Sequence, residues 1–270
     1  MPASARRRAR TGPVVAVLGG VGLALLLLPL LGLLLRAPWA DLPALLASTA
    51  VLQALGVSVA TASISTIACL VLGIPLAVLL SHSVHWAAVP RRLLRAAITI
   101  PMVLPPVVGG IALLLLLGRR GVIGQFLAQV GVTIPFTTGA VVIAQTFVAM
   151  PFLVFAVEGA LRSADRRSEL AAASLGASRA QVFRLVTLPL VAPGVAAGAV
   201  LCFTRALGEF GATITFAGSF PGVTRTLPIA SYLAMNSDPD TGVALALLLL
   251  AVSLAVLLAL RDRWLPGVIR

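Results

Sequence analysis

Six apolar runs, at about residues 14–35, 52–80, 97–117, 138–160, 190–217 and 241–260, constrain this chain more than any other feature. Each reaches the roughly 20 residues that an α-helix needs to cross a bilayer. In hydrocarbon every backbone N–H and C=O must find a partner within the protein, so runs of this length fold as spanning helices. With 60% hydrophobic and 10% charged residues, the composition excludes a soluble globular domain. The expected fold is an all-α integral membrane protein of about six transmembrane helices. Residues 1–13 form a cytoplasmic tail, 14–260 one transmembrane domain, and 261–270 a second cytoplasmic tail.

Charge placement sets the orientation. All 20 basic residues are arginine. Fifteen of them fall in segments that lie inside if the N-terminus is inside: Arg6, Arg7, Arg8, Arg10, Arg91, Arg92, Arg95, Arg162, Arg166, Arg167, Arg179, Arg184, Arg261, Arg263 and Arg270. Four (Arg36, Arg119, Arg120 and Arg225) fall in the outer loops. That bias places both termini in the cytoplasm. Arginines at the ends of apolar runs, rather than on one face of a soluble fold, argue against nucleic-acid binding. A chain without Lys has no Walker A loop, so it cannot hold ATP in that way. The first run could be a signal peptide, but it is too long and lacks a small-x-small cleavage site, and is read as a retained helix. There is no repeat or second domain, and only "RDRWLPGVIR" follows the last run, so no appended regulatory domain is expected.

Within the runs, "IPMVLPPVVGG" gathers Pro101, Pro105, Pro106, Gly109 and Gly110, which cannot support a continuous helix there. The break serves either packing or a pathway. Ser58, Thr61, Ser63, Ser65 and Thr66 in the second run serve helix–helix contact or line a pore. Cys69 and Cys202 are expected as buried free thiols. His82 and His85 are expected to be solvated loop residues, and no metal-ligand cluster or catalytic triad is present.

Arg205 and Glu209 are the exception inside "RALGEFGATITF". A mid-span Arg costs roughly 2.5–3.5 kcal/mol on insertion scales. Four residues apart, the two charges would lie one above the other on a helix and neutralise each other. They form either a structural pair or a pair that faces a pathway and opens for an anion. Gly208 and Gly211 flank Glu209 and would allow close helix approach. Arg225, beyond the span, would add positive potential at the mouth, dock onto an acidic patch of a partner, or do nothing.

The longest inner segment, residues 163–189, reads as two short helices meeting at a glycine corner. Ser168 caps the first, which ends near Leu175, with Gly176 supplying the left-handed residue after it. Ser178 and Gln181 have capping-box spacing at the start of the second. Ala171, Ala172, Ala173 and Ser174 give the first helix a small-residue face. Such a face suits docking into a partner's groove, or simple rest on lipid headgroups.

Here the sequence resembles a known family. "ELAAASLGASRAQVFRLVTLP" is similar to the cytoplasmic signature of bacterial ABC importer permeases, with Ala171, Ala172, Gly176, Leu188 and Pro189 at matching positions. Leu170 departs from it, standing where the commonest pattern has Glu, with Glu169 one place earlier. "IPMVLPPVVGG" and "RALGEFGATITFAGSFPGVTRTLP" resemble the oxyanion-importing branch, most of all molybdate permeases. The resemblance implies a multi-pass subunit of the bacterial inner membrane, in contact with lipid and forming a homodimer with the pathway between the copies. ATPase subunits would seat the coupling segment around Glu169, Ala171, Ala172, Gly176, Ser178 and Pro189. ATP and Mg would be used by those partners, and an extracytoplasmic binding protein would deliver the oxyanion. No cofactor is expected on this chain, and no catalysis. Candidate pathway residues are Arg205, Glu209, Gly208, Gly211, Pro105 and Pro106. A sulfate or tungstate permease is the near alternative. A membrane enzyme using Glu209, or a scaffold, is the distant one.

Overall fold

The computed structural model describes residues 12–164 and 166–264; the basic residues Arg6, Arg7, Arg8, Arg10 and Arg270 lie outside them. Helices α1 (Pro13–Leu35), α3 (Thr49–His82), α7 (Thr138–Ser163), α10 (Leu188–Leu207) and α13 (Pro239–Trp264) carry the long apolar runs. Short helices join them: α2 (Leu42–Leu46), α4 (Ala88–Val103), α5 (Pro106–Leu117), α6 (Gly124–Gln129), α8 (Arg166–Ser174), α9 (Arg179–Val182), α11 (Gly211–Ala217) and α12 (Leu227–Ala234). Among the described residues there is no strand. Among the described residues, five helices are long and apolar enough to cross a membrane, and α4 with α5 makes a sixth if that pair counts as one span. The pair bends by 113° at Leu104–Pro105. Pro106 lacks the N–H that would continue α4, while its fixed φ suits the first position of α5.

One expected span, the fifth, differs from its sequence reading at both ends. The fifth run does not continue to residue 217: the helix stops at Leu207, and α11 starts afresh at Gly211. Its other end begins earlier than expected, since Arg179–Leu207 is continuous through Pro189. Residues Phe183–Thr187 form a π-turn. Pro189 cannot donate to the carbonyl four residues back and its ring crowds that carbonyl, so the helix widens just before it rather than breaking.

The core is a trio of helices, with α7 packed between α3 and α10. Lipid is as apolar as leucine, so helices associate here through close packing rather than hydrophobic burial. Gly194 and Gly198 on α10 face Ala160 and Ala156 on α7. A Cβ at Gly194 would sit 2.3 Å from Ala160 Cβ, and one at Gly198 would sit 3.1 Å from Ala156 Cβ. The α3–α7 seam closes at Gly73 against Leu153. Cys69 and Cys202 are free and buried in this core, and Cys69 Sγ donates to Thr146 O at 3.7 Å. In contrast, α1 has no buried residue and meets the other helices chiefly along α13.

Polar groups in the bundle hold helices together. Ser65 Oγ donates to Val142 O and Gln145 Oε1, both at 3.1 Å, and so joins α3 to α7. Ser58 Oγ accepts from Leu227 N at 2.7 Å and fixes the start of α12. Thr61 and Thr66 donate to carbonyls of their own helix. Of the two readings of the hydroxyl-rich stretch, Ser58 and Ser65 therefore follow helix contact rather than pore lining.

Glu158, 4% exposed, ties α4 to α7. Arg95 Nη2 lies 2.5 Å and Arg162 Nη2 2.8 Å from the same oxygen, Oε1. Both arginines are about half exposed, so Glu158→Gln leaves them hydrated rather than stranded. The expected cost is about 1 kcal/mol. A small drop in thermal midpoint of the detergent-purified protein would show it, with looser protection of α4 in hydrogen exchange. Between α12 and α13, Asp238 accepts from the Thr241 hydroxyl and backbone N–H, which holds its carboxyl below the usual carboxylate range. The folded state thus favours the ionised cap, and that stabilisation fades as pH falls through the lowered value.

Candidate functional site

The first candidate region is the break between α10 and α11. Arg205 occupies the last turn of α10, with a side chain 27% exposed. Glu209 lies past the helix end, in the turn, and is 1% exposed. Arg205 Nη1 and Glu209 Oε2 are 2.6 Å apart. The other carboxylate oxygen, Oε1, accepts from Ala212 N at 2.8 Å. The two charges do not stack on one continuous helix, as the four-residue spacing suggested. The chain turns between them, and Glu209 does double duty as counter-ion to Arg205 and as cap for the first turn of α11.

Gly211 brings this turn against the start of α5. A Cβ there would approach Pro106 Cβ to 2.8 Å and Val107 N to 3.1 Å. Gly110 lets the same two helices meet one turn on, against Ala212 and Thr215. Arg205, Glu209, Gly211 and Pro106 are thus gathered in one place, with Pro105 as the residue before α5. Gly208 does not share the close-approach role expected of it. It ends α10 with an ordinary φ of −86°, and a Cβ would meet only Thr204 O, at 3.5 Å. Phe210 packs against Tyr232 of α12, with ring centroids 5.0 Å apart and the rings tilted by 53°. Arg225 is held within its own loop: Nε donates to Ser219 Oγ at 3.0 Å, and Nη2 to Ser219 O at 3.3 Å.

The second region is the segment from α8 to the start of α10. Helix α8 begins at Arg166, so Ser168 lies inside its first turn and is not the cap expected from sequence. Gly176 has φ +86°, the left-handed conformation that a side chain disfavours. Both bonds of the Ser178–Gln181 capping box are present at the start of α9. Ala171, Ala173 and Ser174 are exposed, as are two large residues, Leu170 at 67% and Leu175 at 89%. The sequence marked Leu170 as a departure from the family signature and Leu175 as a helix end, but nothing in the local pattern set either apart from core residues.

Glu169 points back toward the spans. Its Oε1 accepts from the hydroxyl of Thr187, in the π-turn, at 2.6 Å. Pro189 stands two residues further on, at the start of α10. A cavity of about 970 Å³ opens between this segment and the ends of α3 and α7, with His82, His85, Arg162 and Arg179 in its wall. His82 ends α3 and His85 ends a short 3-10 turn, both exposed. Among the described residues no group of three His, Cys, Asp or Glu side chains is placed to hold a metal ion.

Residues 70–270 match the family described as binding-protein-dependent transport system inner membrane component. The chain belongs to that family. This inner membrane component is 49% identical over 242 residues to the molybdenum transport system permease protein ModB of Mycobacterium tuberculosis, covering 90% of each chain. It is 42% identical over 181 residues to ModB of Escherichia coli, covering 67% of this chain and 79% of that one. The sulfate transport system permease protein CysT of Salmonella typhimurium is 34% identical over 88% of this chain. Among solved structures, a bacterial ABC transporter involved in the import of the acidic polysaccharide alginate shares the fold. Its TM-score is 0.70 at 17% identity, covering 94% of this chain and 96% of that one. The protein is therefore a multi-pass transport subunit of the inner membrane.

Proposed function

We propose that this subunit is the permease of an importer that moves molybdate into the bacterial cell, driven by ATP hydrolysis in partner subunits. The observation that carries the proposal is the 49% identity, sustained over 90% of both chains, with a molybdenum transport permease. Two copies form the pathway, an extracytoplasmic binding protein delivers the oxyanion, and ATPase subunits seat α8. The exposed Leu170 and Leu175, beside the small face of Ala171 and Ala173, supply the apolar anchors that a groove on the ATPase needs. Because Arg179–Leu207 is one helix, a push on the α8 end reaches Arg205, 18 residues beyond Thr187 and about 27 Å away. There Arg205 guides a dianion when its bond to Glu209 loosens.

The test is uptake of labelled molybdate at trace concentration, with excess unlabelled sulfate, in cells with and without the gene. Uptake that disappears with the gene supports the proposal. Unchanged uptake refutes the molybdate assignment and points to sulfate, the substrate named for the 34%-identical relative. For the ATPase contact, Leu175→Asp is expected to weaken copurification of the ATPase subunit about tenfold or more, without unfolding the exposed segment. Copurification equal to the native protein would place the contact elsewhere.

A further inference from the structure

Thr187 behaves unlike the other threonines whose hydroxyls bond within helices of this protein. Thr61, Thr66, Thr99, Thr204 and Thr215 each donate to the carbonyl four residues back, at 2.7 to 2.9 Å. Thr187 instead donates across to another helix, to the Glu169 carboxylate at 2.6 Å, over a separation of 18 residues. Thr187 itself is 6% exposed, whereas Glu169 is half-buried, and both line the cavity beneath α8. A hydroxyl-to-carboxylate bond is roughly twice as strong as a neutral one. Within its own helix the remaining acceptor is Val182 O, at 3.5 Å, the edge of bonding distance. The hydroxyl thus has a strong partner on α8 and a weak alternative on its own helix. It also sits in the one segment of Arg179–Leu207 with π geometry, an irregularity frequently found at functional sites.

We propose that the Glu169–Thr187 hydrogen bond is the tie that makes α10 follow α8, with both residues acting as positioning residues for transport coupling. This rests on the permease reading above and adds to it a specific contact. When the partner ATPase displaces α8, Glu169 draws Thr187, and with it the start of α10. If Glu169 is withdrawn, Thr187 turns to Val182 O and the two helices move independently. The tie is then a two-position element that a force on α8 can bias.

The test uses the complete complex, with its ATPase subunits and binding protein, in lipid vesicles, and reads molybdate moved per ATP hydrolysed. Thr187→Val keeps the shape but removes the donor. It is expected to lower that ratio about fivefold to tenfold, within the range that coupling mutations reach. Assembly and ATP hydrolysis should stay within about twofold of native, and Thr187→Ser should restore the ratio; a residue that merely supported the fold would not show this split. Because one bond is being removed twice, Glu169→Ala with Thr187→Val should be no worse than Glu169→Ala alone. An unchanged ratio in Thr187→Val, no rescue by Ser, or independent effects of the two substitutions would each overturn the tie. Should Thr187→Val fail to assemble, Glu169→Ala, outside the spans, carries the test, and an unchanged ratio there overturns it. Native vesicles that take up no molybdate would overturn the permease reading and the tie with it. Native uptake with an unaffected Thr187→Val overturns the tie alone.

Discussion

Arg205→Leu is expected to destabilise the folded protein by about 3–5 kcal/mol, because it strands a buried carboxylate. Glu209 is 1% exposed and would keep only the Ala212 N–H as a partner. The reverse change is milder. Glu209→Gln leaves Arg205 with its 27% access to solvent, and the Gln carbonyl can still accept from Ala212 N. About 1–2 kcal/mol is expected there. Combining Arg205→Leu with Glu209→Gln removes the stranded charge and should recover most of the loss. Thermal unfolding of the four proteins in detergent checks this order; equal losses for the two single changes would show that the pair is not the reason for the sensitivity. The combined variant also separates the two roles of Arg205. If Arg205 guides the anion, the refolded variant does not transport; if it only neutralises Glu209, transport returns.

The second large effect lies in the α7–α10 seam. Gly194→Ala places a methyl where Ala160 Cβ already stands, 2.3 Å away, so the helices must separate. Overpacking of this kind costs about 1–3 kcal/mol. Ala160→Gly made together with Gly194→Ala removes the collision and should recover more than the roughly 1 kcal/mol that a helical glycine costs. A Gly194→Ala protein that is as stable as the native one would mean that close approach of α7 and α10 at this point does not hold the seam.

The spans were legible because apolar length in hydrocarbon permits one structure, and the kink at Leu104–Pro105 because proline lacks a donor. The stop at Leu207 was not. "LGEFG" carries no proline, and the spacing of Arg205 and Glu209 is what a continuous helix would also show. The available signal was a glycine on each side of an acidic residue that stands three places before Ala212, the spacing of a cap. The corner at Gly176 and the capping box at Ser178 are local chemistry and could be read directly. Contacts between distant segments could not: Glu158 with Arg95, Glu169 with Thr187, and Gly194 against Ala160 each depend on how the helices pack, which no local pattern encodes. The same holds for Leu170 and Leu175, apolar letters in an apolar chain until the fold leaves them uncovered.

The most direct measurement is transport by purified components: this subunit, its ATPase subunits and its binding protein in sealed vesicles, supplied with labelled molybdate. The expected result is accumulation that requires both ATP and the binding protein and that persists under excess sulfate. No accumulation, or accumulation that sulfate abolishes at equal concentration, would contradict it.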